Sequence, residues 1–315
     1  MEQQPTPTFR RSPFEILGES FSIYGKHFRN FILIALLVQV PMSIFGLAMA
    51  GSLPTEEDFT ALVVRFVPDA DTAILGEGSD ISELPDPISN SEIIDFLVSL
   101  TVLTIVTLAG QTLLSGVIAV AVALQYTTGR FDVGACYRRA WWRILTLVVL
   151  ALVFFGLLAL LLIGLTILIL PGIVVMVLMI YLAVDIPAAT IEGYKPIAAL
   201  KRSYELVRNN WWRTFAAVML VFLVIVGISI VLGLVLGIPL TMLVGEDASE
   251  LAFNVTTAVV GLVTNTLIAP IAGITSALIY LNLRSRKEDL DERTLAIQMG
   301  IIAPDMPDES YSGPA

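Results

Sequence analysis

The sequence contains a single cysteine and a single histidine, and this scarcity excludes several kinds of site. The lone thiol, Cys136, excludes an intramolecular disulfide and a zinc site built from several thiolates. The lone imidazole, His27, leaves little room for a histidine metal cluster or a catalytic pair of histidines. The P-loop and the HExxH, GxSxG and CxxC motifs are absent as well. We therefore predict a non-enzymatic protein with no metal and no cofactor.

Charged residues are also scarce, at 15% of a 315-residue chain that is 56% hydrophobic, with a mean hydropathy of +0.84. A soluble domain of this length needs far more polar surface to cover its core. Apolar runs of about 20 residues recur along the chain, and each is long enough to cross a bilayer. A β-barrel would show short alternating segments instead. The composition therefore predicts an all-α integral membrane protein.

Six transmembrane helices can be placed on these runs, within a polytopic domain that covers residues 13–283. The charge-free stretch 144–184 is too long for one helix, and Pro171-Gly172 supplies a turn that divides it. We expect disordered termini at 1–12 and 284–315. The predicted spans are 31–50, 94–123, 144–168, 172–186, 214–236 and 252–281.

The basic residues predict the orientation. If both termini are cytoplasmic, 17 of the 18 lysines and arginines lie on the inner side, and only Arg65 lies outside. Such a separation follows the positive-inside rule. The outer loop 51–91 carries nine acidic residues. We therefore expect both termini to be cytoplasmic, in the plasma membrane of a prokaryote.

A basic and aromatic stretch, ALKRSYELVRNNWWRTFAAVML, leads into the fifth span. Its apolar residues Leu200, Tyr204, Val207 and Trp211 recur at helical spacing, whereas basic residues occupy the other faces. This pattern is typical of an amphipathic helix lying in the membrane interface, where tryptophan is favoured. The stretch therefore predicts an interfacial helix that feeds into a span.

Related patterns precede the first and third spans. The N-terminal EILGESFSIYGKHF aligns with the stretch above after a shift of 183 residues, so that Leu17 matches Leu200 and Phe28 matches Trp211. A shorter version, ACYRRAWWR, precedes the third span. The spans therefore form three pseudo-repeated hairpins, each preceded by an amphipathic interfacial helix, and such parallel repeats imply pseudo-symmetry about the membrane normal.

Two stretches resemble the membrane domain of bacterial glycerophosphoryl diester phosphodiesterases and its stand-alone relatives. One runs from Pro187 to Arg213, with Glu192-Gly193 followed by ALKRSYELVRNNWW, and the other is the N-terminal EILGESFSIYGKHF. Tyr204 stands where that family often has tryptophan after the serine. In the fused enzymes the hydrolase is a separate barrel, which needs about 250 residues, and this chain has no room for it. The resemblance implies a stand-alone membrane module without hydrolase activity.

Two sets of residues are candidate sites. The first set would contact lipid headgroups or a partner, since arginine reaches phosphates while its stem stays in the apolar zone. We expect membrane lipids, including anionic ones, as partners and leave a protein partner or a homo-oligomer open. Nucleic acid is not expected, because the orientation rule explains the basic residues. This first set is Arg138, Arg139, Arg143, Lys201, Arg202, Arg208, Arg213, Trp141, Trp142, Trp211 and Trp212.

The second set lies within the spans and comprises Gln39, Gln111, Asp185 and Asn265. Polar groups at this depth are costly, so they either form interhelical hydrogen bonds or line a pathway. We expect Asp185 near the cytoplasmic boundary, within easy reach of an inner arginine. A lipid-interacting or partner-docking membrane module is thus the first functional hypothesis, and a small-solute or lipid transporter is the alternative. Small residues such as Gly164 and Gly227 are candidates for close helix packing.

Overall fold

The computed structural model describes residues 9–50, 90–167, 169–245 and 249–305, and every regular element in these ranges is helical. Six of its helical stretches are long and apolar enough to cross a membrane. This confirms the all-α, six-span class. The six stretches are Phe28–Ala50, Ile94–Thr128, Ile144–Gly164, Pro171–Glu192, Trp211–Val244 and Leu251–Glu288.

The helices are numbered here in chain order. The first six are α1 Pro13–Lys26, α2 Phe28–Ala50, α3 Asn90–Thr128, α4 Val133–Trp141, α5 Ile144–Ile167 and α6 Ile169–Tyr181. The others are α7 Asp185–Pro187, α8 Pro196–Arg208, α9 Trp211–Leu232, α10 Ile238–Val244, α11 Glu250–Glu288 and α12 Glu292–Gln298. Two π-helical turns, Ala188–Glu192 and Gly233–Gly237, follow α7 and α9.

A short amphipathic helix precedes each pair of spans, as predicted. Helix α1 begins with a capping box, in which the Glu15 N–H donates to Ser12 Oγ at 3.3 Å and the Ser12 N–H donates to Glu15 Oε2 at 2.6 Å. In α4 the cap is Asp132, and α8 begins with Pro196, which suits the first turn of a helix. These local signals fix where each lead-in helix begins.

The second half of α3 forms the centre of the bundle. Every residue from Val117 to Ala123 is fully buried, and α2, α4, α5 and α11 pack around this segment. Its sequence, VIAVAVA, contains only small and branched apolar side chains, so it can be buried on all faces. Gly273 of α11 packs directly on Ile118. The core is therefore built on one central helix.

The fifth span is longer than predicted. We predicted that it ends at residue 236, but the helix continues through α9, the π-helical turn Gly233–Gly237 and α10 as far as Val244. The π-helical turn changes the hydrogen-bond register ahead of Pro239, so the missing N–H of the proline does not end the helix.

The prediction of a disordered tail from residue 284 is wrong for residues 284–299. Helix α11 continues to Glu288, the chain turns at Asp289 with a positive φ of 51°, and α12 follows with Asp291 as its cap. Leu290, Leu295 and Met299 are buried against the bundle. Apolar contacts with α3 therefore order a segment whose composition is mostly polar.

The N-terminal segment also differs from its prediction. Phe9 is 1% exposed and packs edge-on against Tyr126, with ring centroids 5.0 Å apart. The side-chain amide of Asn282 donates to the carbonyls of Phe9 and Arg11 at 2.9 and 2.8 Å. Residues 9–12 are thus held against α3 and α11. Most of the predicted acidic loop, 51–89, lies outside the described residues.

Close helix packing occurs at one of the two glycines singled out above. A Cβ on Gly164 of α5 would lie 2.9 Å from the backbone nitrogen of Gly172 of α6, so the two helix backbones touch there. Gly227 has no neighbour within 4 Å of the corresponding position. The sequence alone did not distinguish these two environments.

The single cysteine provides a test of the packing at α4. Cys136 is fully buried, and burial together with the charge of Asp132 raises the pKa of its thiol to about 12. Since the thiolate is the reactive form, we expect no maleimide labelling of the folded protein at pH 7 and complete labelling after denaturation. Rapid labelling of the folded protein would show that α4 is not packed as described.

Candidate functional site

The lead-in helices, the C-terminal part of α11 and α12 meet at one end of the bundle. Arg10 donates to the Ser285 carbonyl at 3.2 Å, Arg139 donates to the Met299 carbonyl at 3.0 Å, and Lys287 donates to the Glu205 carbonyl. We call this the basic end. Both ends of the described chain lie here, as six crossings require.

The stretch that joins α8 to α9 forms one wall of an open groove of about 770 Å³, and α6 forms the other. We call it the collar groove. Its volume lies within the range of small-molecule sites. Four of the predicted headgroup residues line it together: Arg208, Arg213, Trp211 and Trp212. Asn209, Asn210 and Tyr181 add polar groups.

The tryptophans of the collar groove are held in a defined arrangement. Trp211 stacks on Phe215 with centroids 5.2 Å apart, and Trp212 meets Trp211 edge-on at 4.8 Å. The ring of Trp212 is 77% exposed. The indole N–H of Trp211 is buried and has no acceptor among the described residues, which is unusual for a buried donor. The groove therefore presents an aromatic platform that includes the exposed side chain of Trp212.

Arg208 and Arg213 are exposed and form no ion pair within the described part of the chain. Each guanidinium carries five N–H donors in a planar fork that matches the geometry of a phosphate. Two such cations beside the indole rings make the groove a site that favours an anion with an apolar body.

Arg202, which we predicted in the same set, forms ion pairs within the protein and does not line the collar groove. Its side chain is only 16% exposed and pairs with Glu192 at 3.2 Å and with Glu288. Arg284, 4% exposed, also contacts Glu192 at 3.4 Å and Glu288 at 3.0 Å. These four residues form a buried charge cluster, to which Tyr280 adds a hydrogen bond donated to Glu192. The cluster ties α8, α11 and the π-helical turn together.

Charge is balanced within the buried charge cluster. Burial alone would lower the pKa of Arg202, but the hydrogen bonds and charges of Glu288 and Glu192 raise it above the ordinary arginine value. Two carboxylates and two guanidiniums thus neutralise one another. The cluster is a structural tie at the basic end, and Arg202 is not presented to the collar groove.

Arg139, Arg143 and Trp142 line a second cavity of about 430 Å³, together with Gly193 and Gln298. Burial and the nearby positive charge of Arg143 both lower the pKa of Arg139. The remaining predicted residues lie apart: Lys201 forms an exposed i,i+4 pair with Glu205 at 3.9 Å, and Arg138 and Trp141 are exposed. The predicted collar is therefore divided between two cavities and a structural cluster.

The residues of the predicted pathway do not all line the same space between α2 and α11. Asn265 lines a space of about 270 Å³ between α2 and α11, with Ser43, Asn254 and Thr257. Gln39 is buried, and its amide nitrogen has no partner among the described residues. Gln111 is half-buried on α3. Neither Gln39 nor Gln111 lines the space that contains Asn265.

Asp185 differs from our expectation that it pairs with an arginine. It is 1% exposed, its Oδ1 accepts the Ile186 N–H at 2.7 Å, and its Oδ2 has no partner among the described residues. The neighbouring Val184 N–H donates to Ser203 Oγ of α8 at 3.3 Å. The carboxyl group thus lies at the break between α6 and α7, where no described residue acts as its counter-ion.

Arg284, Glu288, Tyr280 and Gln298 belong to the basic end but were not predicted as site residues. Tyr280 was placed in the sixth span, and the other three were assigned to the disordered tail. One signal was available, because Arg284 and Glu288 stand four residues apart, which is the spacing of a helical ion pair. Comparison with known proteins adds no relative: no family model, no curated protein and no solved structure matches the chain.

Proposed function

We propose that this chain is a non-enzymatic multi-pass membrane protein that binds the anionic headgroups of membrane lipids in its collar groove. The observation that carries the proposal is the meeting of Arg208, Arg213 and Trp211 around one open space. A phosphate of a lipid would accept hydrogen bonds from the guanidiniums, and its glycerol region would pack on the indole rings.

The surroundings of the groove support a lipid over a soluble ligand. Helix α9 leaves the groove with exposed apolar side chains, among them Phe222 and Leu223, which suit contact with acyl chains. Tryptophan and arginine are the residues that proteins place at the level of the headgroups. A lipid could therefore bind with its headgroup in the groove and its chains along α9.

The location is part of the same proposal. We place the basic end on the cytoplasmic side of a prokaryotic plasma membrane, with both termini inside, because nearly all lysines and arginines then follow the positive-inside rule. The resemblance of the stretch Pro187–Arg213 to the membrane domain of glycerophosphoryl diester phosphodiesterases stays a prediction, and so does a stand-alone role without a hydrolase.

Replacing Arg208 and Arg213 with glutamine is expected to weaken the binding of anionic lipid at the groove roughly tenfold or more. Each basic residue near an anionic headgroup contributes about 1 kcal/mol. The measurement uses a Trp141→Phe, Trp142→Phe background, in which Trp211 and Trp212 are the remaining tryptophans of the four. Quenching of their fluorescence by brominated phosphatidylglycerol is compared with quenching by brominated phosphatidylcholine.

The matched control is Lys195→Gln with Lys201→Gln, which removes the same charge at exposed positions next to and on α8. It should leave the preference for the anionic lipid nearly unchanged. Equal quenching by the two lipids in the parent protein would contradict the proposal, and so would an unchanged preference after the Arg208 and Arg213 replacements.

A transporter is the second candidate, and the polar space between α2 and α11 favours it. Asn265 and Ser43 line that space, and the buried amide of Gln39 lies one turn from Ser43 along α2. A transporter would lose solute or lipid flux in proteoliposomes when Gln39 and Asn265 become leucine, whereas a headgroup-binding module would keep its lipid preference in the same variant.

A further inference from the structure

The 430 Å³ cavity between α4, the π-helical turn Ala188–Glu192 and α12 is separate from the collar groove. Its walls carry two arginines, Arg139 and Arg143, one helical turn apart. Trp142 stands at its rim and is strongly exposed, whereas Thr190 and Gln298 form the opposite walls. The cavity is therefore open at one side and polar inside.

Among the residues that the structure describes, no acidic side chain pairs with Arg139 or Arg143 in this cavity. Glu192 also lines it, but its carboxylate is already paired with Arg202 and Arg284 in the buried charge cluster. Arg143 forms no ion pair within the described ranges, and Arg139 donates only to a neutral acceptor, the Met299 carbonyl at 3.0 Å. The cavity and the buried charge cluster together contain four guanidiniums, from Arg139, Arg143, Arg202 and Arg284, and two carboxylates, from Glu192 and Glu288. The excess of two positive charges lies on Arg139 and Arg143.

The backbone at Gly193 holds one of these cations in place. Gly193 has a φ of 77°, a conformation that favours glycine, and a Cβ built there would lie 2.9 Å from Arg143 Cζ and overlap Arg143 Nη2. The guanidinium of Arg143 therefore packs against the backbone of Gly193, in the space that a side chain would occupy. This contact orients a cation that has no acidic partner in the described part of the chain.

Other donors face the same space. The amide oxygen of Gln298 accepts a hydrogen bond from Arg284 Nη1 at 2.8 Å, which leaves the amide NH₂ of Gln298 available to donate. The lowered pKa of Arg139 agrees with two cations held close together. A ligand of this cavity would thus meet several donors and two positive charges.

We propose that the Arg139–Arg143 cavity binds a phosphomonoester group through its two guanidiniums. Two planar forks can each give two hydrogen bonds to phosphate oxygens. A phosphomonoester carries a charge of about −1.5 to −2 at pH 7, which matches the excess charge, whereas a phosphodiester carries only one negative charge. The monoester can belong to a lipid, as in phosphatidic acid, or to a soluble ion, and both sources present the same group.

The test has two arms, both with the full chain in nanodiscs of phosphatidylcholine. Isothermal titration with inorganic phosphate tests the soluble source. Native mass spectrometry with equal amounts of phosphatidic acid and phosphatidylglycerol tests the lipid source and the preference for a monoester. Binding in either arm supports the proposal and identifies the source.

Arg143→Gln is the principal variant, because it removes a cation without breaking an internal ion pair and should leave the fold intact. We expect it to weaken phosphate or phosphatidic acid binding about tenfold or more, as the loss of a charged hydrogen bond predicts. Arg143→Lys keeps the charge and should bind with intermediate strength. Gly193→Ala should also weaken binding, since it displaces the Arg143 guanidinium.

The proposal is overturned if neither inorganic phosphate nor phosphatidic acid binds the parent protein, or if Arg143→Gln binds as tightly as the parent. Equal retention of phosphatidylglycerol and phosphatidic acid would overturn the monoester assignment. The groove variant Arg208→Gln, Arg213→Gln serves as the control: it should keep the binding of inorganic phosphate and the preference for phosphatidic acid over phosphatidylglycerol, even where it retains less anionic lipid in total. A failure of the phosphomonoester proposal is thus seen in Arg143→Gln, whereas a failure of the collar-groove proposal is seen in the Arg208→Gln, Arg213→Gln variant.

Discussion

Replacing Arg284 with methionine is expected to destabilise the basic end strongly. Arg284 is almost fully buried and contacts both carboxylates of the buried charge cluster. Without it, Glu192 and Glu288 share the single cation Arg202, so one buried negative charge loses its partner. Breaking a buried pair in this way costs about 3–5 kcal/mol. The midpoint of thermal unfolding, followed by fluorescence-detected size-exclusion chromatography in detergent, should fall by roughly 10 °C.

Lys201→Met is the matched control for this prediction. It also replaces a cation by methionine, but the pair of Lys201 with Glu205 is exposed and 3.9 Å long. Exposed pairs contribute between about 0 and 1 kcal/mol, so the midpoint should move by no more than roughly 3 °C. If the unfolding midpoints of both variants fall by the same small amount, the buried charge cluster does not hold α8, α11 and the π-helical turn together.

Gly273→Leu is expected to separate the two helices at the centre of the bundle. A Cβ at this position would lie 2.9–3.0 Å from three carbons of Ile118, which is fully buried on α3. Ile118 is β-branched and cannot easily rotate away. Overpacking a core typically costs about 1–3 kcal/mol, and a leucine at such short distances should reach the upper part of that range. Thermal unfolding and the yield of monodisperse protein report the loss.

Gly227→Leu provides the comparison, since it makes the same change in helix α9 where no atom lies within 4 Å. Both substitutions replace a glycine by a residue that favours helix, so any difference comes from packing. We expect Gly227→Leu to keep the parental midpoint or raise it slightly. A loss of equal size in the two variants would mean that Gly273 does not contact Ile118 closely.

The fold was predictable because hydrocarbon thickness limits the length of a span and because apolar runs are visible in one sequence. The lead-in helices were predictable from helical periodicity. The ends of the spans were harder to predict, because α3 and α11 each continue well past the apolar run that identified them. Their polar ends are helical because they pack at the basic end, and such tertiary contacts leave no local pattern.

The buried charge cluster shows most clearly what sequence reasoning could not reach. Arg202 and Glu288 are 86 residues apart along the chain, and Tyr280 and Glu192 are 88 apart. No spacing rule connects residues at such separations. The same limit applies to α12, whose few apolar side chains, such as Leu295, are informative only once the surface that buries them is known.

The candidate site was predicted in part. Arginines and tryptophans of the predicted set line two cavities at the basic end, and their contact with a headgroup or a partner stays a prediction. The sequence did not separate Arg202, which neutralises carboxylates, from Arg208, which has no ion pair among the described residues. That distinction depends on where acidic side chains from distant helices lie, and it decides which cations remain free for a ligand.

Native mass spectrometry of the protein released from nanodiscs of mixed phospholipids, with the retained lipids identified, tests the lipid-binding proposal most directly. We predict that the parent protein retains an anionic phospholipid and that the Arg208→Gln, Arg213→Gln variant retains much less, while Lys195→Gln, Lys201→Gln behaves like the parent. Retention of no lipid, or equal retention by all three proteins, would contradict the account and leave the collar groove as a membrane anchor only.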